Sequence, residues 1–393
     1  MTTFDTAAVC EFAQPRDMRV GGGALEKIGE VVAALGVSRP LVVTDVFLVS
    51  TGLAERVTKL LGAAGLTPAL FSGTVPDPTT ESLVDGLRAV RDGGCDAVIG
   101  LGGGSPMDTA KALALLAVQG GTMRDYKAPR RNTGPALPIV AVPTTAGSGS
   151  EATQFTIITD SASDEKMLCP GRSFLPVAAI VDYELTLSMP PRLTADTGID
   201  ALTHAVEAYV SRKANPLSDS LCLAAIATIG RHLRHAVADG FNREARAAMM
   251  LAATQAGIAF SNSSVALIHG MSRPIGAHFH VAHGLSNAML FPAVAAYSAD
   301  AATTRYADCA RAFGVASGTD SDEQAATALV DAISALCTDL EVPTPAAYGI
   351  DEADWNRLIP TMAEQALASG SPANNPRVPS AREIETLYAR IYR

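Results

Sequence analysis

Apolar residues in the first half of the chain come in short continuous runs, separated by stretches with helical spacing. The runs are Pro40–Asp45 (PLVVTD), Asp96–Gly104 (DAVIGLGGG), Leu137–Thr145 (LPIVAVPTT) and Val177–Asp182 (VAAIVD). Continuous β-branched runs of this length are the pattern of buried strands. Between the first two lie GLAERVTKLLGAAG and TTESLVDGLRAVRDGG, which read as helices. Strands alternating with helices predict a parallel sheet with helices on both faces. After about Leu187 the texture changes: Ala, Leu, Met and His dominate, and ATALVDAISALCTDL has helical apolar spacing. The pattern predicts an α/β domain over residues 1–188 and an all-helical domain over residues 189–393, with the prolines of Ser188-Met189-Pro190-Pro191 marking the boundary.

Composition narrows the function classes. A chain of 393 residues is long for one hydrophobic core. At 48% hydrophobic and 18% charged it is a packed globular protein. The net charge of −10, with no basic run, argues against nucleic acid as a partner. No apolar run reaches bilayer length, and MTTFDTAAVCEFAQP lacks a basic start followed by an apolar core, so neither a membrane anchor nor a secretory signal is expected. The six cysteines are scattered without a CxxC pair and are read as reduced cytosolic thiols.

Two strand-ending loops are candidates for binding a dinucleotide. In GLGGGSPMDTAKALALLA, Gly102, Gly103 and Gly104 let a ligand approach the backbone, Ser105 is a good N-cap and Pro106 a good first helical residue. A helix N-terminus behind such a loop suits a pyrophosphate. The bland alternative is an ordinary strand-to-helix turn, and the glycines of VGGGAL show how little a glycine count decides. Asp45, at the end of a strand, is either a helix cap or an acceptor for the ribose hydroxyls of NAD. Thr144, Thr145 and Ser148, in PTTAGSGSE, are either phosphate contacts or parts of a polar turn.

The helical half carries the metal chemistry. In GIDALTHAVEAYVS, Asp200 and His204 lie four apart and share a helix face. His269 and His283, in LIHGMSRPIGAHFHVAHGLSNAMLFP, complete one carboxylate and three imidazoles, a set suited to a borderline divalent cation. Glu207, on the same helix as His204, is read as structural, with orienting a ligand as its other use. His232 and His235 read as a solvated helix face.

The blocks GGGSPMDTAKA, PTTAGSGSEAT, VDYELTLSMPPRLTADTGIDALTHAVEAYVS, HGLSNAMLFP and NNPR, in that order, resemble the iron-containing (group III) alcohol dehydrogenase family. The resemblance implies an N-terminal parallel-sheet dinucleotide-binding domain and a C-terminal helical metal-binding and catalytic domain. It implies NAD(H) and one divalent metal, Fe(2+) ahead of Zn(2+). Asp200, His204, His269 and His283 are then metal ligands and catalytic residues. Asp45, Gly102, Gly103, Gly104, Ser105, Thr144, Thr145, Ser148 and Lys166 are then cofactor residues. The implied activity is hydride transfer between nicotinamide and a primary alcohol or aldehyde, in a cytoplasmic homodimer or higher homo-oligomer. Maleylacetate reductases and glycerol-type dehydrogenases share the fold and are the rival enzymes; a non-catalytic scaffold is the rival of another class. One departure stands out. The family's usual H-x-M-A-H is here His269-Gly-Met-Ser-Arg273, with arginine in place of the second histidine. Arg273 is then either structural, in a salt bridge or a lid, or a catalytic-site fork holding a substrate carboxylate.

Overall fold

The structure is a computed structural model and describes residues 9–163 and 165–393. These residues form two compact units, 13–188 in one and 189–393 with the segment before Ala13 in the other.

The first unit alternates strands and helices. Its strands are β1 (Asp17–Val20), β2 (Pro40–Val43), β3 (Ala69–Phe71), β4 (Ala97–Gly102), β5 (Ile139–Pro143), β6 (Phe155–Asp160), β7 (Glu165–Pro170) and β8 (Ala178–Val181). Its helices are α1 (Ile28–Ala33), α2 (Val46–Ser50), α3 (Leu53–Ala63), α4 (Leu83–Asp92) and α5 (Gly104–Gln119). Six strands form a parallel sheet in the order β1-β8-β5-β4-β2-β3. Side chains alternate across it, as strand geometry requires. Leu41, Val43 and Val98 join a core with α4 and α5, while Val42, Ile99, Val140 and Ile180 join another with α1 and α3. Both faces are therefore covered, which is why these strands read as unbroken apolar runs. The chain moves outward from β2 to β3 and, on the other side, from β4 to β5, so the order switches between β2 and β4. Strands β6 and β7 form a separate antiparallel hairpin.

The second unit is helical throughout its described residues: α6 (Pro191–Val210), α7 (Pro216–Ala238), α8 (Arg243–Asn262), α9 (Leu267–Phe279), α10 (His283–Ser298), α11 (Thr303–Phe313), α12 (Asp322–Asp339), α13 (Pro345–Tyr348), α14 (Glu352–Ala368) and α15 (Ala381–Ile391). Helix α6 is the central one, buried from Thr194 onward and packed by α7, α8 and α10. Along it Asp196, Asp200, His204 and Glu207 recur every three or four residues, so a polar stripe runs through the core. Buried polar groups need partners: Asp196 finds Arg192 on α6 itself, while Asp200 and Glu207 find theirs on α9, its cap residue and α10. No single helix among the described residues is long and apolar enough to cross a membrane.

Candidate metal centre and cofactor loops

Asp200 and His204 leave α6 one turn apart, His269 lies in the first turn of α9, and His283 opens α10. Folding brings their ligand atoms within 4.8 Å of one another. Asp200 Oδ1 lies 3.8 Å from His204 Nε2, 3.6 Å from His269 Nε2 and 3.8 Å from His283 Nε2. Ligands bound tetrahedrally at about 2.1 Å stand about 3.4 Å apart, so the spacing matches a single divalent cation. Gly284 makes the approach of α10 possible. A Cβ there would fall 2.6 Å from the Asp196 carbonyl oxygen, so a larger residue would push His283 away from Asp200.

The electrostatics of the cluster favour a cation. Burial alone would raise the Asp200 carboxyl, but the imidazoles of His204, His283 and His269 outweigh it and hold the group far below the usual carboxylate range. Glu207 fixes the state of His269. Its Oε2 lies 2.6 Å from His269 Nδ1, and its two oxygens also accept the Ala266 and Ile268 N–H groups at 2.9 and 2.6 Å. One carboxylate thus caps the start of α9 and places the proton on Nδ1, leaving the Nε2 lone pair directed at Asp200. Burial would lower the His269 pKa, but the neighbouring carboxylates of Asp200 and Glu207 raise it. His204 is clamped by stacking on Phe260 at 4.3 Å and on His269 at 4.5 Å.

Asn287, one turn along α10 from His283, faces the same ligand atoms. Its Nδ2 donates to Asp200 Oδ1 at 2.7 Å and lies 3.1 Å from His269 Nε2 and 3.3 Å from His283 Nε2. Its Oδ1 is buried with no partner. Three lone pairs converge on an amide with two protons, and a divalent cation would satisfy all of them. The donor set therefore fits the metal expected from the sequence. Three of the four ligands are buried, while the His283 side chain is 38% exposed, leaving one open side.

In the α/β unit, the expected cofactor residues fall at the carboxyl ends of β2, β4 and β5. The Asp45 carboxylate caps α2, accepting the Leu48 N–H at 2.9 Å through Oδ1. The cap role is real, and Oδ2 takes no part in it. Gly102 pairs with Pro143 across the β4–β5 ladder, and the Thr144 N–H donates to the Gly102 carbonyl at 3.0 Å, so the glycine turn and the Thr144–Ser148 loop are neighbours. Ser105 is not the N-cap. Helix α5 starts at Gly104, with Gly103 as cap residue and no side-chain cap. Without β-carbons the glycine run winds into the helix earlier than a serine cap would, and the first-turn N–H groups face no competing side chain. Lys166 lies on β7 and pairs with Asp77 at 3.0 Å.

Lys111, not expected from sequence, secures the segment that follows the Thr144–Ser148 loop. Its buried Nζ donates to Ser150 Oγ, Thr153 Oγ1 and the Thr153 and Phe155 carbonyls at 2.9–3.1 Å. Asp108, one turn earlier, accepts the Ser150 hydroxyl and the Ile157 N–H. Burial pulls the Lys111 pKa down to about 8 against the charges of Asp108 and Glu151.

Family comparison agrees with this architecture. The profile described as iron-containing alcohol dehydrogenase matches residues 15–183, and that of the Fe-containing alcohol dehydrogenase family, C-terminal, matches residues 194–392. The chain belongs to the iron-containing alcohol dehydrogenase family. An NAD-dependent methanol dehydrogenase of Bacillus methanolicus is 38% identical over 93% of this chain and 95% of its own length. A lactaldehyde reductase of Escherichia coli (strain K12) is 38% identical over 94% of this chain and 96% of its own. A solved 1,3-propanediol oxidoreductase superposes with a TM-score of 0.94 at 35% identity, covering 98% of this chain and all of that one. For an iron-containing alcohol dehydrogenase the cluster of Asp200, His204, His269 and His283 is the one candidate metal site of three or more such ligands among the described residues.

Proposed function

We propose that Asp200, His204, His269 and His283 hold the catalytic divalent metal, and that Asp45, Gly102–Ser105, Thr144, Thr145, Ser148 and Lys166 form the NAD(H) site. The chain is an oxidoreductase that interconverts a primary alcohol and its aldehyde using NAD(H) and a divalent metal, iron being the family's metal. The observation that carries the site assignment is the convergence of four ligand atoms within 4.8 Å inside the helical unit.

The metal supplies Lewis acidity toward an alcohol or aldehyde oxygen and the nicotinamide carries the hydride, each when bound. The chain's own part is positioning. Glu207 holds His269 with its proton on Nδ1, and Asn287 holds the Asp200 carboxylate oriented. In the α/β unit the order of strands switches between β2 and β4. Ligands of such sheets bind beyond the strand ends at that point, which is where Asp45 and the glycine turn lie. The uncapped N-terminus of α5 suits a pyrophosphate, and the Asp45 oxygen not used in capping suits a ribose hydroxyl. The assembly is read as a cytoplasmic homo-oligomer, which light scattering after size exclusion checks. NADH oxidation with a panel of aldehydes, before and after chelation, tests the function. Metal-independent turnover would count against it.

A further inference from the structure

Buried Arg246 and half-buried Arg305 are each satisfied by several acceptors, whereas half-buried Arg273 is not. Arg246 gives Nε to the Gly240 carbonyl, Nη1 to Thr194 Oγ1 and Nη2 to the Met189 carbonyl. Arg305 gives Nε to the Tyr209 carbonyl, pairs Asp219 at 2.7 Å and lies over the Tyr209 ring at 3.9 Å. Arg273 makes one hydrogen bond among the described residues, from Nη1 to Ser371 Oγ at 3.0 Å, and its Nε is buried with no acceptor. The carboxylate whose charge acts on it is Glu207. Both Glu207 oxygens are already committed to Ala266, Ile268 and His269. Burial lowers the Arg273 pKa to about 10, with Glu207 opposing, so the group stays cationic at neutral pH.

Position connects this unused fork to the metal ligands. Arg273 follows His269 by four residues on α9, so both leave the same face, about 6 Å apart along the axis. Ser371 is brought to it by close packing of Pro372 on the helix. A Cβ on Gly270 would lie 2.7 Å from Pro372 Cγ. Arg273 is half-buried, but its Nε lies buried without an acceptor; such a donor is costly until an anion completes it, and the planar fork matches a carboxylate.

We infer that Arg273 and Ser371 form a subsite for a carboxylate at the far end of the substrate. The substrates are then ω-hydroxy acids of about four carbons, the span of one helical turn, and the corresponding semialdehydes. The inference rests on the metal-site assignment above. In the oxidative direction a C–H bond of the CH2OH carbon breaks and its hydride passes to NAD+. The hydroxyl proton goes to solvent, leaving aldehyde, NADH and H+, with the carboxylate unchanged.

The test compares 4-oxobutanoate with butanal in NADH oxidation by the metal-loaded full chain. The unmodified enzyme should favour the acid in kcat/KM. Arg273→Ala should raise KM for the acid about 100-fold, with a loss for butanal at least about tenfold smaller and with bound metal unchanged. Arg273→Lys should restore part of the loss. A preference for butanal, or equal losses on both aldehydes, overturns the subsite. Calorimetric titration with 4-hydroxybutanoate gives a readout independent of turnover. Binding that vanishes in Arg273→Ala and is absent for butan-1-ol supports the subsite, and binding that survives the substitution overturns it. Arg273-dependent binding without reduction of either aldehyde would instead count against the proposed function and leave the subsite standing.

Discussion

At the scale of single residues, the metal centre depends as much on its supports as on its ligands. Glu207 touches no cation in this arrangement, yet it sets the His269 tautomer and caps α9 at once. Glu207→Gln should leave the fold intact and weaken metal retention about 10–100-fold, measured by competition with a chelator. Retention unchanged from the unmodified protein would make the contact purely structural. Asp45 caps α2, and one substitution separates that from its proposed contact with the cofactor ribose. Serine keeps a side-chain oxygen for the α2 cap but removes the charge. Asp45→Ser should therefore preserve stability and reduce the preference for NADH over NADPH by about tenfold or more, because a 2′-phosphate no longer meets a carboxylate. The ratio of kcat/KM values for the two cofactors checks this, and an unchanged ratio would leave Asp45 a cap alone.

At the scale of elements, much was legible from pattern. β2, β4, β5 and β8 are buried along their whole length, so their apolar runs stand out. β1 and β3 are short and half-exposed edge strands, and no comparable run marks them. The β6–β7 hairpin alternates buried and half-buried positions and hides among polar residues. Ser105 failed as a cap because cap preference is local, whereas the turn is set by three preceding glycines. In the site, Asp200 and His204 were visible from their spacing, and His269 and His283 from residue type. Glu207 is legible only as a structural residue with ligand orientation as its other use, and Asn287 and Lys111 are not legible, because an amide or a lysine in a helix is ordinarily a surface group; only their partners reveal them. Lys111 illustrates the energetic stakes. Lys111→Met would strand the Ser150, Thr153 and Phe155 acceptors that follow the proposed cofactor loop. It should lower the melting temperature on the order of 10 °C and weaken NADH binding, as seen by calorimetry and fluorescence titration. A shift under about 2 °C would show that the network contributes little.

At the scale of the whole molecule, the two units differ in what they offer: loops at the carboxyl ends of parallel strands in residues 13–188, and a polar stripe through a helical core in residues 189–393. The comparisons place the chain in a metal-dependent family, and the structure supplies one cluster able to serve it. Metal bound only to the folded state stabilises by about 2.7 kcal/mol at a hundredfold excess over Kd, so chelation should lower the melting temperature of the unmodified protein. The most direct measurement is the iron content of the unmodified chain and of His269→Ala after anaerobic loading and gel filtration. The account predicts about one ion per chain in the former and less than about a tenth of that in the latter, with circular dichroism unchanged. Full occupancy in a folded His269→Ala protein would contradict it.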